Sequence, residues 1–494
     1  MSKYTRRQFL EESLLAATAA ALSGRSLLAA DAPERSKKKP PSERLGVAIV
    51  GVGGRGGEHI RQFLEHPETE IRYIVDADEK IGNGRLASIA KEQDRAPKYV
   101  RDMRSAFDDK CVDLVSTATP NHWHALTAIW AMQAGKDVYV EKPVSHDVSE
   151  GRRMVETARR GNRVCQSGMQ SRSMQGVRDA IEYVKSGKIG EVKLARGLCY
   201  KRRPSIGAKG VYQVPASVDY NIWSGPAPVL PLTRPNFHYD WHWQRVYGNG
   251  DMGNQGPHQM DLARWGLGID RLADRVIAFG GRLGYQDAGD TANTEVGVFE
   301  FGDKTIVFEV RGLETSPLLQ VEVGTIFYGS EGYVVIASLS AVDPTGKTVA
   351  SGGAAFDRKG KIVRVFSSEG DLHFPNFVAA AKARNPKLLR AEILDGHLSC
   401  AHSHLANVSY YLARPASVAE IKTALASWKA NEDLGDCLER TVKHLAASGV
   451  DVNKTPIALG PALAIDAERE TVIDNPAACA LLSREFRAPF APRT

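Results

Sequence analysis

Three glycines and one acidic residue near the start of the chain have the spacing of a dinucleotide-binding site. Gly51, Gly53 and Gly56 form the pattern G-x-G-x-x-G directly after an apolar run, and Asp76 follows Gly51 by 25 positions. In this pattern the glycines permit a tight turn, close approach of the backbone to a pyrophosphate, and close packing of the next helix. A carboxylate at the position of Asp76 binds adenosine ribose hydroxyls and repels a 2′-phosphate, so the spacing favours NAD over NADP.

Apolar strands and helices alternate around this motif. The run Leu45–Val50 is typical of a buried parallel strand, and residues 58–65 are predicted to form the helix after the glycines. Further strands are predicted at 71–75, 111–117, 137–141 and 164–167, with a helix at 122–134. The alternation predicts an α/β domain with a doubly wound parallel sheet, a Rossmann fold, over residues 45–168. Ligands of such sheets bind at the carboxyl ends of the strands.

Four segments together resemble a known enzyme family. They are the glycine motif, the sequence Thr-Ala-Thr-Pro-Asn-His-Trp-His at 117–124, the tripeptide Glu-Lys-Pro at 141–143, and residues 250–261. Over residues 45 to about 412 the chain is similar to the Gfo/Idh/MocA oxidoreductases, the family of glucose–fructose oxidoreductase and inositol dehydrogenase. The resemblance implies an NAD(P)-dependent oxidoreductase acting on CH–OH groups. The cofactor-binding residues that it implies are Gly51, Gly53, Arg55, Gly56, Asp76, Thr119, Pro120, Asn121, His124, Glu141 and Lys142.

The resemblance also implies roles in catalysis. Lys142 resembles the family's active-site lysine, His258 resembles its acid/base histidine, and Asp261 matches the acid three residues later. Oxidation of a secondary alcohol requires hydride transfer from carbon and removal of a proton from oxygen. A histidine with a pKa near neutrality suits the proton transfer, and a lysine beside it can stabilise an alkoxide. Asn254 is assigned to the same site, although many relatives have aspartate there and an amide cannot accept a proton.

An aromatic and polar stretch is the candidate substrate surface. Four of the seven tryptophans lie between residues 223 and 265. Flat rings beside hydrogen-bonding side chains suit a sugar or a cyclitol; the alternative is a loop folded over the core of the second domain. His238 and His242 have no acidic third ligand at a suitable spacing, so no metal site is predicted. The predicted substrate-binding residues are Gln170, Arg172, Trp223, Trp241, His242 and His258.

The second half of the chain has the pattern of an antiparallel sheet with helices. Alternating segments between residues 193 and 328 predict strands, so residues 169–412 are predicted to form an α+β domain with a mostly antiparallel sheet. The resemblance implies that one face of this sheet closes the active site and the other joins subunits in a homo-oligomer. Residues 413–494 are predicted to be a C-terminal extension that is partly helical.

The first 44 residues indicate an exported protein. Residues 5–10, Thr-Arg-Arg-Gln-Phe-Leu, resemble a twin-arginine motif, and an apolar stretch with a small-residue cleavage site completes a signal peptide over 1–30. Residues 31–44 are predicted to be a linker. We therefore expect export by the twin-arginine machinery, a periplasmic location and no stable membrane anchor. Residues 1–44 hold nine Lys/Arg and five Asp/Glu, so only +2 of the net charge of +6 belongs to the rest, and nucleic acid is not an expected partner.

Three functions remain compatible with the sequence. The first is an NAD-dependent oxidoreductase that acts on a sugar, a sugar derivative or a cyclitol. The second is a glycoside hydrolase or lyase that oxidises its substrate transiently with bound, recycled NAD. The third is a non-catalytic binding protein of the same fold, which Asn254 favours mildly and which Lys142 and His258 argue against.

Overall fold

The computed structural model describes residues 40, 43–342, 348–367, 370 and 372–492. The predicted signal peptide and most of the predicted linker lie outside these residues. Within the described part of the chain, no helix is long and apolar enough to cross a membrane. All six cysteines are free thiols.

The first sheet has six parallel strands in the order β3-β2-β1-β4-β5-β6. Its strands are almost continuously apolar and buried, as expected for a sheet covered on both faces. The predicted Rossmann fold is therefore confirmed. The strands are β1 (Leu45–Val50), β2 (Thr69–Val75), β3 (Lys98–Val100), β4 (Leu114–Thr117), β5 (Asp137–Val140) and β6 (Cys165–Ser167); the helices are α1 (Gly56–Glu65), α2 (Glu79–Ile89), α3 (Met103–Phe107), α4 (Asn121–Gln133) and α5 (Val148–Arg160).

The second sheet is mixed and mostly antiparallel, which confirms the predicted α+β domain. Among the described residues it has thirteen strands, and its central path runs β13-β14-β12-β11-β7-β10-β9-β8-β17-β16. Within that path only the pairing of β7 with β10 is parallel. The strands are β7 (Val192–Cys199), β8 (Arg275–Gly281), β9 (Thr294–Phe301), β10 (Lys304–Arg311), β11 (Val323–Gly329), β12 (Gly332–Ile336), β13 (Leu339–Val342), β14 (Thr348–Asp357), β15 (Ile362–Ser367), β16 (Arg414–Ala416), β17 (Ile457–Leu459), β18 (Leu463–Asp466) and β19 (Thr471–Val472).

Helices on the inner face of this sheet join the two domains. One helix, residues 256–267, packs on the sheet so closely that a Cβ on Gly197 would lie 2.7 Å from the Gln259 side chain. Another, residues 393–411, places Cys400 in the core of the first domain and Leu405 in the core of the second. This shared helix fixes one domain on the other. The helices here are α6 (Gln175–Lys185), α7 (Tyr220–Ser224), α8 (Gly250–Asn254), α9 (Gly256–Leu267), α10 (His373–Lys382), α11 (Ile393–Tyr411), α12 (Val418–Leu425), α13 (Asn431–Ala447) and α14 (Pro476–Ala480).

The structure packs residues 413–482 of the sequence-based extension on the second domain. Strand β17 pairs with β8, and α12 and α13 pack on the outer face of the sheet. Leu434 and Leu438 of α13 are buried there against Phe279 and Val298. This part of the outer face, which the resemblance assigned to subunit contact, is covered by the chain itself. The homo-oligomer stays a prediction.

The C-terminal tail anchors to the first domain through one aromatic side chain. Phe490 is 2% exposed, and its ring lies 5.6 Å from that of Trp123 and 6.5 Å from that of Trp130. We expect Phe490→Ala to lower the free energy of unfolding by about 3–4 kcal/mol, because it removes a buried ring and leaves a cavity. Urea unfolding measures this loss. Phe486→Ala, at a partly buried ring of the same tail, is the control and should cost less; equal losses would contradict the anchor.

Candidate active site

The glycine loop after β1 has the geometry that a pyrophosphate requires. Gly51 has φ +77°, and a Cβ on Gly56 would lie 1.9 Å from the Gly51 carbonyl oxygen. A Cβ on Gly53 would meet nothing closer than 3.9 Å, which leaves room above the loop. Helix α1 starts at this loop without a side-chain cap, so its N-terminal N–H groups can face phosphate oxygens. The loop therefore fits the predicted dinucleotide.

Asp76 lies at the carboxyl end of β2, beside the glycine loop. Its carboxylate accepts hydrogen bonds from the backbone N–H groups of Val52 and Asp78, each at 2.9 Å. These bonds fix the carboxylate next to the loop, where it can bind ribose hydroxyls. Burial raises the pKa of Asp76, while its two backbone hydrogen bonds act in the opposite direction.

The turn between β4 and α4 is held by buried polar side chains. Thr119 and Pro120 lie at the turn itself, and the Asn121 side chain donates to the Asn249 amide oxygen at 3.1 Å. The His124 ring lies 2.8 Å from the Thr119 carbonyl oxygen and 2.5 Å from that of Pro143. His124 is 2% exposed, so it positions two backbone segments of the site and is itself enclosed.

Glu141 is the centre of a buried hydrogen-bond network at the end of β5. Its Oε1 accepts from Arg55 Nε at 2.9 Å and Gln170 Nε2 at 2.8 Å, and it lies 3.2 Å from His59 Nε2. Burial acts to raise the pKa of Glu141, but the Arg55 charge and the His59 hydrogen bond hold it well below its usual value. Gln170 was predicted to bind substrate; the structure has its amide on Glu141 and on the Tyr139 hydroxyl.

Lys142 of the first domain contacts residues 250–261, the segment of the second domain that resembles the family. Its Nζ donates to the backbone oxygen of Asn254 at 2.8 Å and to its side-chain oxygen at 3.2 Å. Burial lowers the pKa of Lys142 to about 8, and the positive charges of Lys201 and Arg55 act in the same direction. A carboxylate at position 254 would instead raise this pKa. An uncharged residue at position 254 is therefore consistent with a Lys142 pKa near physiological pH.

His258 lies on α9, one helical turn after Asn254. Burial and the nearby charge of Lys142 lower the pKa of His258 to about 3. This differs from the sequence-based expectation of a histidine that titrates near neutrality, because the sequence does not show the desolvation or the distance to Lys142. At neutral pH the His258 ring is therefore uncharged, and Lys142 carries a positive charge.

We call the region around Lys142, Asn254 and His258 the cleft. Trp241 and His242 lie near it as a stacked pair. Their rings lie 3.7 Å apart with an interplanar angle of 19°. Burial and the charges of Lys142 and Arg203 lower the pKa of His242 to about 3. Two of the predicted substrate residues thus lie near Lys142 and offer uncharged flat rings. Such rings can stack on the C–H face of a sugar.

Four further residues near Lys142 were not singled out from the sequence. Arg203 Nε and Nη2 each donate to the Asp251 carboxylate at 2.8 Å, and Asp251 is 1% exposed. The exposed Lys201 donates from Nζ to Gln255 Oε1 at 2.8 Å. The basic run Lys201–Arg203 directly after a strand was the available signal. Neither pairing could be assigned, because the partners lie about fifty positions later in the chain.

Two of the predicted substrate-binding residues, Arg172 and Trp223, are bound to or packed on other parts of the structure. Arg172 is 9% exposed and donates from Nε to Asp261 at 2.8 and 3.0 Å, with Asp395 3.0 Å from Nη1. Its guanidinium is already bound to two carboxylates, and Asp261 serves this pair rather than His258. Trp223 is 5% exposed and packs among Phe237, Tyr247 and other rings. Trp223 is thus enclosed in a local aromatic cluster.

The chain has recognisable similarity to known proteins in its first domain. Residues 45–169 match the family model GFO_IDH_MocA, described as an oxidoreductase family with an NAD-binding Rossmann fold. Residues 45–169 are therefore an NAD-binding Rossmann domain of the kind found in this oxidoreductase family. This match confirms NAD as the predicted cofactor.

Curated relatives and solved structures extend the similarity. The chain is 26% identical over 244 residues to levoglucosan dehydrogenase of Pseudarthrobacter phenanthrenivorans, covering 48% of this chain and 54% of that protein. It is 28% identical over 206 residues to a glycosyl hydrolase family 109 protein of Shewanella pealeana, covering 38% and 44%. The chain thus spans about half the length of these relatives. The structure of GenD2 from gentamicin A biosynthesis, in complex with NAD, has a TM-score of 0.54 at 21% identity over 74% of this chain and 94% of that one, which shows a shared fold.

Proposed function

We propose that the protein is an NAD-dependent oxidoreductase that transfers a hydride between nicotinamide and a secondary alcohol of a sugar, a sugar derivative or a cyclitol. The observation that supports this proposal best is the pair of hydrogen bonds from Lys142 of the first domain to Asn254, which lies on the segment of the second domain that carries His258. Lys142 is bonded to Asn254, four residues before His258, and its charge lowers the pKa of His258. A lysine with a lowered pKa and a neutral histidine, both near an NAD-binding site, are the groups that alcohol oxidation requires.

Each residue of the site would have a separate role in this reaction. Bound NAD supplies the hydride acceptor, and the glycine loop and Asp76 would hold it. Trp241 and His242 offer a stacked surface for the sugar ring. The alcohol proton passes to the Lys142 amine, while the neutral His258 ring donates an N–H hydrogen bond to the alcohol oxygen and stabilises its developing negative charge. In the reverse direction the Lys142 ammonium returns the proton to the carbonyl oxygen.

A second candidate is redox-assisted cleavage of a glycoside. The likeness to the glycosyl hydrolase family 109 protein supports it. Oxidation of one alcohol to a ketone acidifies the neighbouring C–H bond, so elimination and then reduction can follow with no net change in NAD. The same Lys142 and His258 would handle the proton of the oxidised hydroxyl in both reactions. A non-catalytic binding protein is the third candidate.

We also propose that the enzyme works in the periplasm after export by the twin-arginine route with its cofactor already bound. The sequence of residues 1–30 supports this location. Because a soluble NAD pool is not expected in the periplasm, the cofactor would stay bound and be reoxidised by a second substrate or within one cycle. Fractionation that finds only unprocessed protein in the cytoplasm would contradict the proposal.

One experiment separates the candidates. The purified protein is denatured and the released nucleotide is identified by mass spectrometry, and the native protein is then incubated with a panel of sugars and glycosides. Net NADH accumulation, measured by absorbance, supports the oxidoreductase. Release of the aglycone without net NADH supports redox-assisted cleavage. Neither signal with any panel member supports the binding protein.

A further inference from the structure

The cleft contains two ammonium groups that have neutral partners. Lys142 Nζ is bonded to the two oxygens of Asn254, and Lys201 Nζ is bonded to the amide oxygen of Gln255. In the part of the chain that the structure describes, neither nitrogen lies within ion-pair distance of a carboxylate. Adjacent residues thus hold the two positive charges next to each other.

The carboxylates of the cleft are already matched by arginines. Glu141 is paired with Arg55 at 2.9 Å, and Asp251 is paired with Arg203 at 2.8 Å. Both carboxylates are buried. The pairs account for two of the four cationic side chains, so the charges of Lys142 and Lys201 remain unmatched.

The two unmatched charges act on each other. The charge of Lys201 contributes to the lowered pKa of Lys142 and of His258. Like charges held close together in a partly buried cleft cost electrostatic energy, and a bound anion relieves that cost. A neutral sugar offers no such relief, whereas a sugar with one negative group does.

We propose that the substrate of this site carries an anionic group, a carboxylate, sulfate or phosphate, which Lys201 binds beside the alcohol that reacts at Lys142. The inference rests on the proposed function and narrows its substrate class. Consecutive Cα atoms are about 3.8 Å apart, and Asn254 and Gln255 are consecutive. Because the two hydrogen-bond partners are neighbours in the chain, we place the anionic group on the reacting sugar ring or on the next one.

Matched pairs of sugars test the proposal. Each neutral sugar of the panel is compared with its uronic acid, 6-sulfate and 6-phosphate, and kcat/KM is measured by cofactor reduction or by aglycone release. We expect at least one anionic member to be preferred by about tenfold, as one hydrogen bond between charged groups provides. The preferred arm identifies the anion. Its preference should fall as ionic strength rises.

Variants of Lys201 test whether this residue causes the preference for anionic substrates. Lys201→Met should lower the ratio of anionic to neutral kcat/KM about tenfold, and Lys201→Arg should restore most of it. Arg202→Gln removes a neighbouring exposed charge that lies 3.9 Å from Glu314, and it should leave the ratio as it is. Weaker nucleotide binding by Lys201→Met with an unchanged ratio would place Lys201 on the cofactor and overturn the inference.

The two proposals fail in different ways. If neutral members are turned over as well as their anionic partners, the inference is wrong and the proposed function stands. If no member is oxidised or cleaved, the proposed function is wrong. Calorimetric titration of the same pairs then decides the inference, because tighter binding of the anionic members supports it and equal binding contradicts it.

Discussion

Replacing Lys142 by methionine is expected to lower kcat by about 10³-fold, while the NAD content of the purified protein stays unchanged. Lys142 is the titrating base of the cleft that lies nearest to physiological pH, with a pKa of about 8. Methionine keeps the length and the apolar stem of the side chain and removes the base and its charge. Steady-state kinetics with the best panel substrate gives kcat, and mass spectrometry of the released nucleotide gives the NAD content.

The pH dependence shows which form of Lys142 acts. Below a pKa of about 8 the side chain is an ammonium, and above it an amine. Alcohol oxidation needs the amine, so its rate should rise with pH and level off above about 8. Carbonyl reduction needs the ammonium, so its rate should fall over the same range. Opposite pH profiles for the two directions are the result that this assignment requires.

Arginine is the matched control at this position. Lys142→Arg keeps a positive charge but cannot lose its proton in the working pH range. It should therefore be as slow in oxidation as Lys142→Met. Substantial oxidation by Lys142→Arg would mean that the charge of Lys142, and not its proton transfer, carries the effect. Thermal unfolding of each variant checks that the fold is retained.

The sequence was sufficient for the first domain because local patterns determine it. The apolar run of β1, the glycine triplet and the acid at the end of β2 each have a separate physical meaning, and they agree. Strand ends shifted by a few residues, as at Leu114–Thr117, where the prediction began at residue 111. The position of Lys142 at the carboxyl end of a parallel strand also follows from topology.

The rest of the site depends on contacts between distant positions. Arg172 and Asp261 form a buried pair 89 positions apart, and Lys201 meets Gln255 over 54 positions. Single residue types do not reveal which partner a charge has in the fold. The same limit applies to residues 413–492, whose β17 pairs with β8. Composition and periodicity identify helices and strands there, but they do not identify the sheet that these elements join.

Replacing His258 by glutamine is expected to lower kcat by about 10²-fold and to leave the pH midpoint of oxidation near 8. Burial and the charge of Lys142 hold the pKa of His258 at about 3, so the ring is neutral over the working range. Glutamine is also uncharged and its amide can donate a hydrogen bond, but its flexible side chain does not hold the donor where the imidazole N–H lies. Initial rates from pH 5 to 10 give both kcat and the midpoint.

The double variant tests whether the charge of Lys142 lowers the pKa of His258. In Lys142→Met the charge that lowers the pKa of His258 is gone, while burial still acts. The pKa of His258 should then rise from about 3 toward its ordinary value of 6.5 without passing it. The residual oxidation by Lys142→Met should acquire a midpoint in that acidic range, because His258 becomes the remaining base. The double variant Lys142→Met/His258→Gln should lack this midpoint. A shifted midpoint in His258→Gln alone would instead assign the titrating proton to His258.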